Sequence, residues 1–124
     1  MERSYFATMS LLILHQIDAA FWREWEMFYL PGGVQGYLVF NALIIPFVLL
    51  GYKHLVQSSD KAIIFATSCA SLGLLTFLIH SGFALAGFKQ FHLPLSLAII
   101  LLCLASSIWQ FVEIRKLSLR HIAR

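Results

Sequence analysis

Four apolar stretches separated by short polar segments dominate the sequence. Each stretch approaches the roughly 20 residues that an α-helix needs to cross a bilayer. They run from Ser4 to Trp22, Gly36 to Tyr52, Ala62 to Ala84 and Leu93 to Ile114. The pattern predicts an all-α fold, a four-transmembrane-helix antiparallel bundle that forms a single domain over residues 1–124. We expect its helices at about 4–29, 34–52, 61–85 and 93–118, with a tight turn at Pro31-Gly32-Gly33 between the first two.

Composition favours the same environment. Hydrophobic residues make up 60% of the 124 residues and charged residues only 12%, whereas about a quarter of a soluble domain is charged. The net charge of +3 comes from basic residues at the predicted helix ends, where they set membrane orientation. We therefore expect the lipid bilayer as a partner and no nucleic acid.

The positions of the lysines and arginines predict the orientation. In an antiparallel four-helix bundle, both termini and the loop from Lys53 to Lys61 share one side of the membrane. That side carries seven of the basic residues, Arg3, Lys53, Lys61, Arg115, Lys116, Arg120 and Arg124, against Arg23 and Lys89 on the other. The positive-inside rule predicts a multi-pass protein of the cell inner membrane with cytoplasmic N- and C-termini.

A polar stripe follows one face of the first predicted helix. Steps of three and four residues connect its members, which are Ser4, Thr8, Leu11, His15, Asp18, Trp22 and Glu26. Ionisable groups facing lipid are costly, so this face is expected to point into the bundle. The third predicted helix has a matching face of mostly small residues that includes His80 as its one large polar group.

Helical rise places His15, Asn41 and His80 at similar depths near the outer end of the bundle. The expected outer site consists of His15, Asp18, Glu26, Asn41 and His80, with Trp22 as a wall. A histidine with a carboxylate suits a proton relay. The set His15, Asp18 and His80 suits a metal ion, and two histidines on different helices suit a haem. The alternative is that these groups bond one another and fix the helix register.

The stretch from Leu14 to Asn41 resembles the N-terminal signature of a family of small, uncharacterised bacterial four-span membrane proteins, a domain of unknown function. The matching residues are His15, Asp18, Ala19, Trp22, Glu24, Trp25, Phe28 and the Leu30-Pro31-Gly32-Gly33 turn. The resemblance implies four spans and no assigned activity. Helical spacing turns Glu24 away from the polar stripe, so this residue becomes a ligand-binding candidate through the resemblance alone.

These patterns leave two functions open. The first is binding of a small ligand, metal or redox cofactor at a buried site near the outer leaflet. The second is a proton-coupled transporter using Asp18, which in a chain this short would require a homodimer, or a structural subunit without chemistry of its own. Enzyme catalysis is a third possibility, since the sequence has acid and base candidates, but it has no Cys-x-x-Cys, His-Glu-x-x-His or Gly-x-Ser-x-Gly motif that would name a particular reaction.

Overall fold

Five helices and no strand make up residues 1–122, the part of the chain that the computed structural model describes. In chain order they are α1 (Glu2–Phe21), α2 (Glu24–Met27), α3 (Gly33–Val56), α4 (Ala62–Leu85) and α5 (Pro94–Ile122). The predicted all-α class is confirmed. Arg124 and the side chain of Arg120, both used in the orientation argument, lie outside the described residues.

The first predicted helix, residues 4–29, differs from the structure because it is divided between α1 and α2. Arg23 has a left-handed backbone conformation with φ of 54°, which no α-helix accommodates in its interior. The guanidinium of Arg23 then pairs with the exposed Glu26 carboxylate at 2.6 Å. This ion pair holds the outer side of the short helix α2 while its other side turns inward.

The turn before α3 has the backbone that its sequence predicts. Gly32 and Gly33 have φ angles of 88° and 55°, a region in which glycine carries no steric penalty. Helix α3 starts at Gly33 and continues through Pro46 to Val56.

The four long helices alternate in direction. At one end, the hydroxyl of Ser4 donates a hydrogen bond to the Glu113 carboxylate near the end of α5. The hydroxyl of Tyr5 donates to the carbonyl of Val48 in α3 at 2.8 Å. At the opposite end, His15 of α1 meets His80 of α4. The bundle therefore has one end rich in α1 N-terminal contacts and another at which His15 and His80 meet.

The outside of the bundle is largely apolar, and several polar side chains lie inside it. Polar side chains such as Thr8, Ser107 and Gln110 are fully buried, whereas Ile17 and Phe21 of α1 are 65% and 70% exposed. Extended apolar surfaces of this kind are rare on soluble monomers. Three helical segments, Gly33–Val56, Ala62–Leu85 and Pro94–Leu119, are long and apolar enough to cross a membrane. The apolar helices thus favour a membrane-embedded protein with lipid contact.

Gly73 allows α1, α4 and α5 to approach one another closely. A Cβ atom at this position would collide with the hydroxyl of Ser107 and lie 3.1 Å from Cγ2 of Thr8. The same atom would lie 3.3 Å from the carbonyl oxygen of Cys103. Small residues at such crossings permit the van der Waals packing that holds membrane helices together.

We therefore expect Gly73→Ala to destabilise the bundle by about 1–3 kcal/mol, the usual cost of overpacking. The measurement is thermal unfolding of the detergent-purified protein followed by circular dichroism. Gly82→Ala is the matched control, because a Cβ at this position of the same helix meets no atom within 4 Å. Equal melting temperatures for the two variants would contradict the proposed close approach at Gly73.

Candidate metal centre

Three buried side chains from three helices bring their ligand atoms to one point. His15 lies on α1, Glu24 on α2 and His80 on α4, and one ligand atom from each lies within 4.8 Å of the others. Nε2 of His80 is 3.1 Å from Nε2 of His15 and 3.2 Å from Oε1 of Glu24. Nε2 of His15 is 3.9 Å from the same carboxylate oxygen.

These separations match a small metal coordination sphere. Zinc binds imidazole nitrogen and carboxylate oxygen at about 2.0–2.2 Å, so two ligands of a tetrahedral site lie about 3.3 Å apart. The three observed separations, from 3.1 to 3.9 Å, bracket that value. His15, Glu24 and His80 would supply three ligands and leave a fourth position open. A small ion thus fits with little movement of the side chains.

The break between α1 and α2 is what directs Glu24 into the centre. Glu24 follows His15 by nine residues, and 3.6 residues per turn would put it on roughly the opposite side of an unbroken helix. The left-handed Arg23 resets the helical phase, so that Glu24 and Met27 are buried and Glu26 stays exposed. Glu24 therefore takes the ligand position that the sequence suggested for Asp18.

The electrostatics of the centre keep the Glu24 carboxyl group ionised. Burial raises its pKa, but hydrogen bonds and charge interactions with His15 and His80 outweigh burial and lower the pKa to about 2. An ionised carboxylate binds a divalent cation more strongly than a neutral acid does. The centre thus offers one anionic oxygen beside two imidazoles, which bind a metal ion in their neutral form.

Phe91 covers the two imidazole rings from the loop between α4 and α5. Its ring centroid lies 4.2 Å from that of His80 and 5.5 Å from that of His15, in a stacked arrangement with His15. Nδ1 of His15 has no hydrogen-bond partner among the described residues, so ring packing orients this imidazole. Phe91 has φ of 62°, a conformation that costs a bulky residue about 1–3 kcal/mol. The chain accepts this strain where an aromatic ring closes the site.

Asp18 contributes to a neighbouring hydrogen-bond group. Its Oδ1 accepts hydrogen bonds from the indole N–H of Trp22 at 3.2 Å and from the hydroxyl of Ser96 on α5 at 3.0 Å. Asp18 thereby connects α1 to the start of α5. Trp22 also packs against Phe91, with ring centroids 5.9 Å apart. The hydrogen-bond group of Asp18 therefore supports the position of Phe91 over the histidines.

The two remaining predicted residues lie apart from the centre. Glu26 is exposed and pairs with Arg23. Asn41 is buried, but its side-chain amide donates to the carbonyl of Tyr37 one turn earlier in α3. Sequence reasoning missed Phe91 and Ser96. An aromatic residue at the predicted outer interface was the only sequence signal for Phe91.

The contact between His15 and His80 also determines whether a haem or a single metal ion fits the site. A haem with two axial histidines lies between them, whereas the Nε2 atoms of His15 and His80 are in direct contact at 3.1 Å. A macrocycle does not fit between these rings. A single ion placed among the three ligand atoms fits the same geometry.

The model of DUF6713, a family of unknown function, matches residues 1–117. No curated protein matches the chain, and no solved structure matches it. The match covers α1 to α4, most of α5 and every residue of the candidate centre, so this chain belongs to the DUF6713 family of unknown function.

Proposed function

We propose that this protein is an integral membrane protein that binds one divalent transition-metal ion through His15, Glu24 and His80. The observation that carries the proposal is the convergence of three buried ligand atoms, one from each of three helices, within 4.8 Å. Side chains that are far apart in sequence seldom bring their lone pairs together in an apolar bundle without a cation or shared protons to offset the repulsion.

Zinc fits this ligand set. Two imidazoles and one carboxylate, with a fourth position open, are the protein ligands of several catalytic zinc sites. Copper(II) favours tetragonal arrangements, and magnesium and calcium favour oxygen-rich ones. The open position would let the ion bind or polarise a further molecule. The proposed activity is therefore binding at the ion, and no reaction is assigned.

The hydrogen bonds of Asp18 favour binding over proton-coupled transport. A proton-coupled carboxylate has to release its partners during each cycle, whereas Asp18 accepts one hydrogen bond from Trp22 at the end of α1 and one from Ser96 that joins α1 to α5. We therefore give Asp18 a structural role beside the metal centre.

We further propose that α1 is a fourth span and that both termini are cytoplasmic. Helix α1 has 20 residues, which corresponds to a length of about 30 Å and to the thickness of a hydrocarbon core. Its outward side chains are apolar, including Phe6, Leu14, Ile17 and Phe21. With the basic residues concentrated at the opposite end, the positive-inside rule favours a metal centre near the outer side of the inner membrane.

Glu24→Gln should remove most of the zinc affinity, because it replaces the anionic ligand with a neutral amide of the same shape. Detergent-purified protein would be stripped with chelator, incubated with zinc, desalted and analysed by inductively coupled plasma mass spectrometry. We expect about one zinc per wild-type chain and an affinity loss of at least about tenfold in the variant. Glu26→Gln is the matched control, since Glu26 is exposed and pairs with Arg23. Equal zinc content in the two variants would refute the assignment of Glu24.

The orientation predicts opposite labelling at two exposed glutamines. Gln57 lies between α3 and α4, and Gln90 lies between α4 and α5. A membrane-impermeant maleimide applied to intact spheroplasts should label Gln90→Cys at once and Gln57→Cys only after permeabilisation. The native Cys69 and Cys103 are buried and serve as the unlabelled background. Labelling of Gln57→Cys in intact spheroplasts would reverse the proposed topology.

A further inference from the structure

A cavity of about 250 Å³ extends from the candidate metal centre between α1, α3 and α4. His15, Glu24 and His80 lie in its wall. Most of the remaining wall is aliphatic and includes Ile44 and Val48 of α3 and Leu72 and Leu75 of α4. A concave apolar site with a few convergent polar groups is the usual form of a small-molecule pocket.

The cavity has the length of one lipid chain. Along α4 its wall extends from His80 back to Leu72, which is about 12 Å at 1.5 Å per residue, and along α3 it extends from Tyr37 to Val48, about 16 Å. A shallower groove shares Ile44, Leu72 and Leu75 and continues to Ser68. Half of a hydrocarbon core is about 15 Å thick. The dimensions therefore suit a single chain in one leaflet and are too small for the body of a two-chain lipid.

The mouth of the cavity faces the apolar surface of the bundle. Phe40 on α3 and Leu75 on α4 line the cavity and are 42% and 49% exposed. Both belong to the outward surface that we assign to lipid. A molecule dissolved in the bilayer can therefore enter sideways between α3 and α4.

Two hydroxyl groups line the cavity, on Tyr37 and Thr76. Oη of Tyr37 lies 2.8 Å from the carbonyl oxygen and 2.7 Å from Oε1 of Gln16, and the hydroxyl of Thr76 donates to the carbonyl of Leu72. These groups already have partners. The ligand atoms of His15, Glu24 and His80 converge on the position from which an ion would face the cavity.

The charge at that position selects an anion. A divalent ion bound to one carboxylate and two neutral imidazoles has a net charge of about +1, and its open position lies in an apolar environment where Coulomb attraction is strong. An anionic headgroup would neutralise this charge. A carboxylate also matches the oxygen ligands that zinc accepts.

We infer that the cavity binds a single-chain carboxylate amphiphile, a long-chain fatty acid, with its carboxylate on the metal ion and its chain between α3 and α4. This inference rests on the proposed metal site and names the class of molecule that fills its open position. A quinone or other neutral amphiphile would use the same apolar wall without the charge requirement.

The test compares a fatty acid with its methyl ester. Full-length protein loaded with zinc in uncharged phosphatidylcholine nanodiscs would be titrated with the fluorescent fatty acid cis-parinaric acid and with its ester. We expect the acid to bind at least about tenfold more tightly, because the ester lacks the anion that the site is built to hold. Chelation of zinc should abolish this preference.

Two substitutions then test the chain-binding wall. Leu75→Trp should block the mouth and weaken acid binding while zinc content stays at the wild-type level. Leu101→Trp is the control, because Leu101 on α5 is 57% exposed and is not part of the cavity wall. Equal acid binding by the two variants would contradict the assigned groove.

The outcomes separate the inference from the proposed function. Failure to bind zinc overturns the metal site and this inference together. Zinc binding with equal affinity for acid and ester overturns the inference alone and favours a neutral amphiphile. Zinc binding without uptake of either probe overturns the inference and leaves the metal site intact.

Discussion

The cost of placing ionisable side chains against apolar surroundings organises this bundle. Its outward faces are apolar on α1, α3, α4 and α5, so polar groups are stable only where helices pack together or at the ends. His15, Glu24 and His80 are consequently buried side by side. Buried carboxylates and imidazoles must form hydrogen bonds with one another or bind a shared cation, because an unpaired polar group is costly in an apolar interior. A metal ion bound by all three meets this requirement with one interaction.

The centre depends on local features of the backbone as much as on its ligands. The left-handed backbone of Arg23 separates α1 from α2, so that Glu24 points into the bundle. The ion pair between Arg23 and Glu26 stabilises this turn on the exposed side. In the loop between α4 and α5, the ring of Phe91 packs on His80 and His15 and shields the two imidazoles from solvent and headgroups. Phe91 also has a strained backbone conformation. Arg23 and Phe91, two of the four non-glycine residues with positive φ among the described residues, flank the same site, and strain at functional sites is common in natural proteins.

Much of this arrangement could be predicted from helical period and depth. The burial of His15 on α1 and of His80 on α4 follows from spacing and from the cost of exposing imidazoles to lipid. The role of Glu24 could not be predicted in this way, because Trp22-Arg23-Glu24 has no glycine or proline to mark a break. Asp18 has the right spacing, yet its carboxylate accepts a local hydrogen bond from Trp22 and a tertiary one from Ser96. Local pattern specifies which face is buried, and tertiary contacts decide which carboxylate reaches the histidines.

The central claim is that His15, Glu24 and His80 hold one ion together. X-ray absorption spectroscopy at the zinc edge of the loaded protein tests it most directly. We expect a first shell of nitrogen and oxygen at about 2.0–2.2 Å, with the outer-shell scattering of two imidazoles and no sulfur. A sulfur shell at about 2.3 Å, which would implicate Cys69 or Cys103, or a shell without imidazole would contradict the account.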